Sequence, residues 1–252
     1  DLRPRQPGSS FKPIVYALAF MRGYLPQTQL WDVTTGFRGD TGTYTPNNYD
    51  LKERGPVSIR QALQGSLNIP AVQLMYLVGV GRSIDFAEKL GYTTLSNRSQ
   101  FGLSLVLGSG EVKPIEHVTT FATFANEGVK VQTSAILHVE DSNGVALEDW
   151  KQPEGERVMD VQAARTLSNV LSDTAARVYV FGANGAQLAL SDRPVAAKTG
   201  TTNNFKDAWT VGYTPNLATV VWVGNSDGSS MRNGADGSVI AAPIWQGYMK
   251  EA

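Results

Sequence analysis

Three short clusters carry side chains whose types and spacing suit nucleophilic catalysis. They are Ser9 and Lys12 in "SSFK", Ser66 and Asn68 in "SLN", and Lys198, Thr199, Gly200 and Thr201 in "KTGT". A serine hydroxyl is a weak nucleophile until a neighbouring base takes its proton. Ser9 and Lys12 lie one helical turn apart, so both side chains fall on one side of the chain. An ordinary lysine, near pKa ~10.4, is neutral at pH 7 only about once in 2,500 molecules, a cost of roughly 4–5 kcal/mol. Lys12 can act as a base only if burial and a nearby positive charge depress its pKa. Lys198 is the candidate for that charge, provided its strand lies beside the helix mouth. Taken alone, each cluster also suits a bland role: a helix cap with a surface lysine, a polar bend, a strand end.

Other catalytic arrangements fit less well. Cysteine is absent, which excludes disulfides, thiolate catalysis and Cys-ligated zinc and leaves the compartment open. Only two histidines occur, and both read as structural: His117 on a helix and His138 in a strand. A Ser-His-Asp triad or a metal hydrolase is therefore disfavoured, and no Gly-x-Ser-x-Gly elbow is present. No cofactor is implied. The net charge of −1, without a Lys/Arg block, gives no support for nucleic acid or an anionic membrane as a partner. No apolar run reaches the ~18–20 residues of a membrane helix. The chain opens abruptly on Asp1-Leu2-Arg3, with a motif within a dozen residues, and reads as part of a longer protein.

The elements that must position these clusters follow from punctuation and periodicity. An apolar helix runs roughly from Phe11 to Met21, and Pro13 confines Ser9 to its mouth, on a tight or 3₁₀ turn. Residues 32–54, rich in Gly, Thr, Asn and Tyr, read as irregular surface loop. Ser58 and Gln61 form a capping box for a short helix, Gly65 breaks it, and Pro70 suits the first turn of the next. Ser66-Leu67-Asn68 then falls on a bend between helices. A helix from Ser83 to Leu90 ends at Gly91. Another starts at Pro114, with Ile115, Val118, Phe121, Ala122 and Ala125 expected on its apolar face, and stops at Gly128. Asn143-Gly144 marks a hairpin, and Asp160 caps a helix to about Ser172. "PVAAKTGTT", "DAWTVGYT" and "LATVVWVGN" read as three extended stretches, with Asp207, Trp209 and Tyr213 as strand and core residues, followed by a helix after Pro243. The plan is an α/β (α+β) chain, 1–252, forming one domain with a mainly helical middle and a late antiparallel sheet.

The order Ser-x-x-Lys, Ser-x-Asn, Lys-Thr-Gly is the signature of penicillin-binding proteins and serine β-lactamases. The segments "RQPGSSFKP", "GSLNIPAV", "SLVLGSGEVKPIEHVTTFATFANEG", "AAKTGTTNNFKDAWTVGYTP" and "NGADGSVIAAPIW" closely resemble the transpeptidase domain of class A penicillin-binding proteins from end to end. The resemblance implies a β-lactamase/transpeptidase-like fold, an antiparallel sheet flanked by helices. Two strands of that fold precede the serine motif and are missing here, so the strand at "LATVVWVGN" is expected to expose its edge.

The resemblance also implies roles. Ser9 is the nucleophile and Lys12 its base. Ser66 bridges the two lysines and passes a proton to the leaving amine, and Asn68 binds the substrate amide. The N–H groups of Ser9 and Thr201 form an oxyanion hole, and Gly200 lets a substrate backbone lie against the strand. Thr199 and Thr201, with Lys198, hold a terminal carboxylate. The implied activity is peptidoglycan D,D-transpeptidation, from a D-Ala-D-Ala stem peptide to a neighbouring stem amine, with acylation by β-lactams. The alternatives are a D,D-carboxypeptidase or β-lactamase-type hydrolase of the same fold, or a non-catalytic penicillin-binding sensor. No Glu-x-x-Leu-Asn element supports the lactamase. An upstream glycosyltransferase domain, a membrane anchor and an extracytoplasmic location are further expectations.

Overall fold

The computed structural model describes residues 3–39 and 42–252; Asp1, Leu2, Asp40 and Thr41, which belong to the opening and to the 32–54 stretch discussed above, lie outside the described residues. A 3₁₀ turn, Gly8–Phe11, leads into helix α1, Lys12–Met21. Pro13 sits in the first turn of α1, where its missing N–H costs nothing. Helix α1 is buried on nearly all sides, from Lys12 through Phe20, and is the central element of the main core.

The 32–54 stretch is more ordered than its composition suggests. Strand β1 (Gln29–Asp32) pairs antiparallel with β4 (Gly55–Ser58), and between them β2 (Phe37–Gly39) pairs with β3 (Gly42–Tyr44). These strands are too short for periodicity to register. Asp32 and Asn48, polar residues expected outside, are both buried: Asn48 Nδ2 donates to Asp32 Oδ1 at 2.6 Å.

The helical middle follows the punctuation closely. Helix α2 (Ile59–Gln64) begins on the full Ser58–Gln61 capping box, and α3 (Asn68–Val78) and α4 (Val80–Leu90) follow. Gly91 closes α4 in the left-handed conformation, at φ 115°. Helix α5 (Pro114–Ala125) buries a different face from the one expected. His117, Thr120, Phe121, Thr123 and Phe124 point inward, while Ile115 is exposed. The polar members of that inner face have partners: Thr120 and Thr123 hydroxyls donate to carbonyls one turn back, and His117 is bonded on both ring nitrogens. Past α5, β5 (Val129–Lys130) pairs with β8 (Glu156–Arg157), and β6 (His138–Glu140) with β7 (Ala146–Asp149), as the Asn-Gly turn requires. Helix α6 (Val161–Leu171) starts on Asp160, whose side chain accepts from the Gln162 and Ala163 N–H groups, and α7 (Thr174–Phe181) follows.

Strands β9 (Ala196–Thr201), β10 (Asp207–Thr214) and β11 (Leu217–Gly224) form the main sheet, all antiparallel, in the order β11-β10-β9. Val211, Tyr213 and Ala218 face the large core shared with the helices, whereas Ala197 and Val221 face helix α8 (Ala242–Glu251). The sheet is thus covered on both faces by helices. Asp207, Trp209 and Tyr213 are buried strand residues, as expected. Strand β11 is one edge of the sheet, β9 being the other, and is half-buried along its length.

Trp245 of α8 is fully buried, and its Nε1 donates to Thr219 O at 3.2 Å. Gly212 makes room for it, since a Cβ there would lie 2.6 Å from the indole. Replacing Trp245 with Ala empties that space, and urea unfolding should show a loss of about 3–5 kcal/mol with the slope unchanged.

Candidate active site

The three clusters meet where the 3₁₀ turn, the α2–α3 bend and the edge of β9 come together. Two backbones must approach closely for this to happen. Gly8, at φ 56°, has a conformation that side chains disfavour, and a Cβ on it would lie 2.5 Å from Thr201 O and 2.8 Å from Thr201 N. On the other side of the contact, a Cβ on Gly200 would collide with Pro7 O and lie 2.9 Å from Ser10 Oγ. The glycines of "PGSS" and "KTG" therefore let the turn bearing Ser9 press against β9.

Lys12 is fully buried at the start of α1. Its Nζ donates to Ser66 O at 2.6 Å and to Asn68 Oδ1 at 2.8 Å, with Ser66 Oγ at 3.4 Å. Lys198, 3% exposed, approaches the same hydroxyl from β9: its Nζ donates to Ser66 Oγ at 2.8 Å and to Thr199 O at 3.0 Å. Ser66 stands between the two ammonium groups at φ 54°, a left-handed conformation that costs a non-glycine residue energy. The bend between α2 and α3 imposes it. Asn68 is held in turn by Asn48, whose Oδ1 accepts from the Asn68 N–H at 2.8 Å, while Asn68 Nδ2 donates to Asn47 O.

Electrostatics follow from burial. Desolvation pulls the Lys12 pKa well below that of a free lysine, and the charge of Lys198 lowers it further, against the opposing pull of Asp32. Lys198 is lowered to about 7, again by burial first and then by Arg177. Arg177, 1% exposed, reaches the back of β9 from α7. Its guanidinium donates to Gln64 Oε1 and to the carbonyls of Leu171, Leu188 and Ala197. Burial of Asp32 raises its own pKa, which the Asn48 hydrogen bond and Arg54 oppose.

Lys12, Ser66, Asn68 and Lys198 thus form one hydrogen-bonded cluster. Ser9 is half-buried on the adjoining turn, and its hydroxyl makes no hydrogen bond to another side chain among the described residues. Thr199 is nearly buried beside Lys198. The Thr201 hydroxyl accepts from the Gly237 N–H at 3.0 Å, which leaves its own proton free to donate outward. Thr202 N–H donates to Asp207 O, towards β10. Strand alternation therefore turns the Thr201 N–H to the opposite edge, towards Gly8 and Ser9. No group of three or more His, Asp or Glu side chains suited to a metal occurs among the described residues. A cavity of about 810 Å³ lies at the other end of the sheet, lined by Ala196, Tyr213 and Leu217 among others, and includes none of these residues.

Sequence reasoning missed several groups that support the cluster. Ser10, the neighbour of the proposed nucleophile, is fully buried and bonded to His117, 107 residues away. Asp32, Asn48 and Arg177 likewise reach the site from other segments, and Gln64 from the helix just before Ser66. None carries a local pattern; Asn-Tyr-rich loop text and a lone arginine in a helix give no hint of burial. His138 is exposed on β6 beside Asp149 and Glu140.

Known proteins match this chain along nearly its whole length. The family model "Penicillin binding protein transpeptidase domain" matches residues 3–250. A protein named penicillin-binding protein 1A from Neisseria lactamica is 34% identical over 256 residues, covering 98% of this chain and 31% of its own. One of the same name from Aquifex aeolicus is 36% identical, covering 98% and 33%. The chain therefore spans about a third of the length of these curated relatives. Among solved structures, penicillin-binding protein 1A from Haemophilus influenzae superposes with a TM-score of 0.88 at 25% identity, over 98% of this chain and 42% of that one. PonA1 from Mycobacterium tuberculosis, solved in complex with penicillin V, gives 0.83 at 26% identity, over 98% and 69%. With its three motifs converging on one buried cluster and this match along its length, the chain belongs to the penicillin-binding protein transpeptidase domain family.

Proposed function

We propose that the chain is a serine acyltransferase domain acting as a peptidoglycan D,D-transpeptidase, and that β-lactams acylate the same serine. The observation that carries this reading is the position of Ser66 Oγ between two buried lysines, 2.8 Å from one Nζ and 3.4 Å from the other. A charged pair so crowded favours losing a proton, which gives a base beside the Ser9 turn at neutral pH. In the reaction proposed, Ser9 Oγ bonds to the carbonyl carbon of the penultimate D-Ala while Lys12 takes the hydroxyl proton. As the C–N bond breaks, Ser66 passes a proton to the departing D-Ala amine, resupplied through the lysines. The ester is then attacked by an amine of a neighbouring stem peptide, restoring Ser9.

The remaining roles are the ones that the family motifs imply. We assign the oxyanion hole to the Thr201 N–H and the Ser9 N–H. Lys198 and the Thr199 and Thr201 hydroxyls flank a site for the carboxylate that ends a stem peptide and that penicillin also carries. Asn68 binds the substrate amide; Gly200, expected to make room for a substrate backbone, instead makes room for Pro7 and Ser10 of the serine turn. We place this domain, as one unit over residues 1–252, on the outer side of a bacterial cytoplasmic membrane, joined to a glycosyltransferase domain and an anchor elsewhere in the protein. No helix among the described residues is long and apolar enough to cross a membrane.

Mass spectrometry after exposure to penicillin should find a stable adduct on Ser9 and none in Ser9→Ala. Rapid release of the adduct would favour a hydrolase, and a folded protein without an adduct would favour a sensor. Lys12→Met should cut the acylation rate about 10²–10⁴-fold, the usual contribution of a positioned base. The pH dependence is equally specific. Acylation should rise as Lys12 loses its proton, well below the free-lysine value, and fall as Lys198 loses its proton near pH 7. These limbs belong to the pair as a whole. A basic limb near ~10.4 would contradict the assignment.

A further inference from the structure

The motif cluster leaves one buried titratable chain unused, and it ends on the turn that carries Ser9. Tyr92 OH lies 2.6 Å from His117 Nδ1, and His117 Nε2 lies 2.9 Å from Ser10 Oγ. The Ser10 hydroxyl donates to Pro7 O at 2.7 Å. Ser10 and His117 are fully buried and Tyr92 is 2% exposed.

These bonds have only one consistent direction. Ser10 has a single hydroxyl proton, and Pro7 O can only accept, so that proton goes to Pro7. Ser10 must then accept from His117 Nε2–H. Nδ1, left bare in the neutral ring, accepts from the Tyr92 hydroxyl. Burial keeps the ring neutral, with its pKa lowered to about 3. The imidazole is held edge-on against Phe121 and Trp209, and Trp209 Nε1 donates to Gln6 O at 2.8 Å, just before the turn. The carbonyl at the end of the chain, Pro7 O, is the atom nearest to where a Cβ on Gly200 would lie.

We infer that His117 is a positioning residue for acylation: through Ser10 it fixes the Pro7–Ser10 turn against β9, so that Ser9 and its N–H stay in register with Thr201. The inference rests on the acylation reading above and extends it to residues outside the three motifs. His117 touches no substrate; it acts through Ser10. A turn that carries a nucleophile is exposed on one side and tends to drift, and misplacement by about 1 Å is worth roughly 10²-fold in rate. The Tyr92–His117–Ser10–Pro7 chain removes that freedom from the buried side.

The test uses the whole protein and penicillin as the acylating probe, resolving noncovalent binding from the acylation step. His117→Leu should lower the acylation rate constant about 100-fold per folded molecule while the noncovalent dissociation constant moves by less than about threefold. His117→Gln keeps a donor nitrogen near the position of Nε2 and should recover most of the rate. Ser10→Ala, a smaller change, should behave like His117→Leu, and it carries the test if that variant does not fold. Nitrogen NMR at neutral pH should find His117 with Nε2 protonated and Nδ1 bare. Wild-type acylation rates in both Ser10→Ala and His117→Leu, a His117→Gln variant as slow as His117→Leu, or a ring protonated on Nδ1 would each overturn the inference. If the wild-type protein gains no adduct on Ser9, the acylation reading fails and takes this inference with it. If Ser9 is labelled normally and the variants are unaffected, only the role of His117 falls.

Discussion

Two ammonium groups sealed from water and aimed at a single hydroxyl set the terms for the rest of the site. Transferring one ion out of water costs several kcal/mol unless its partners compensate. Here the partners are mainly neutral: Ser66 O and Asn68 Oδ1 for Lys12, and Thr199 O and Ser66 Oγ for Lys198. Such acceptors satisfy the donors without cancelling the charge. Arg177 adds a third positive group behind β9, also held by carbonyl and amide oxygens. Asp32 is the buried carboxylate that opposes them, and it acts on Lys12 without bonding to it. The balance favours proton loss from the cluster, which is the condition for a lysine to serve as a base at neutral pH.

That charge pattern needs rigid surroundings, because a polar cavity free to relax would admit water and restore ordinary pKa values. The fold supplies them by close backbone packing. Helix α1 is buried almost all round, so Lys12 projects from the core itself. The Gly8 and Gly200 contacts press the serine turn against β9, with the small Ser10 side chain against Gly200. Ser66 is held in a disfavoured conformation by the helices on either side of it. Asn48 bridges Asp32 to the first turn of α3 and so fixes Asn68. The Gly8 and Gly200 contacts join segments far apart in sequence, which makes the site depend on the completed fold.

This division explains what could be read from the sequence. Pro13, the Ser58–Gln61 box, Gly91, Asp160 and Asn143-Gly144 mark their elements locally, and the structure follows them. The three motifs are legible as well, because each combines reactive residues with a glycine, proline or bend whose geometry is local. The supporting groups are not legible in that way. His117 sits on a helix whose expected apolar face included Ile115, yet the buried face is built around the histidine and two threonines. Periodicity weighs hydrophobicity alone and cannot see that three polar side chains each find a partner. Asp32 and Asn48 stood in text typical of a surface loop, and their mutual bond, with Arg54 beside Asp32 and the Asn68 N–H on Asn48, makes burial tolerable. Arg177 is invisible for the same reason: its acceptors are three backbone carbonyls and the Gln64 amide oxygen, which no sequence pattern displays.

The proposed chemistry depends on the charge state of Lys12 in the folded protein. Nitrogen-labelled lysine NMR, assigned with Lys12→Met, would report the Nζ protonation directly as pH is varied. The account predicts a neutral Lys12 amine at neutral pH, with its titration displaced far below the ordinary lysine range. An Nζ that stays protonated up to about pH 10, as in a free lysine, would contradict it.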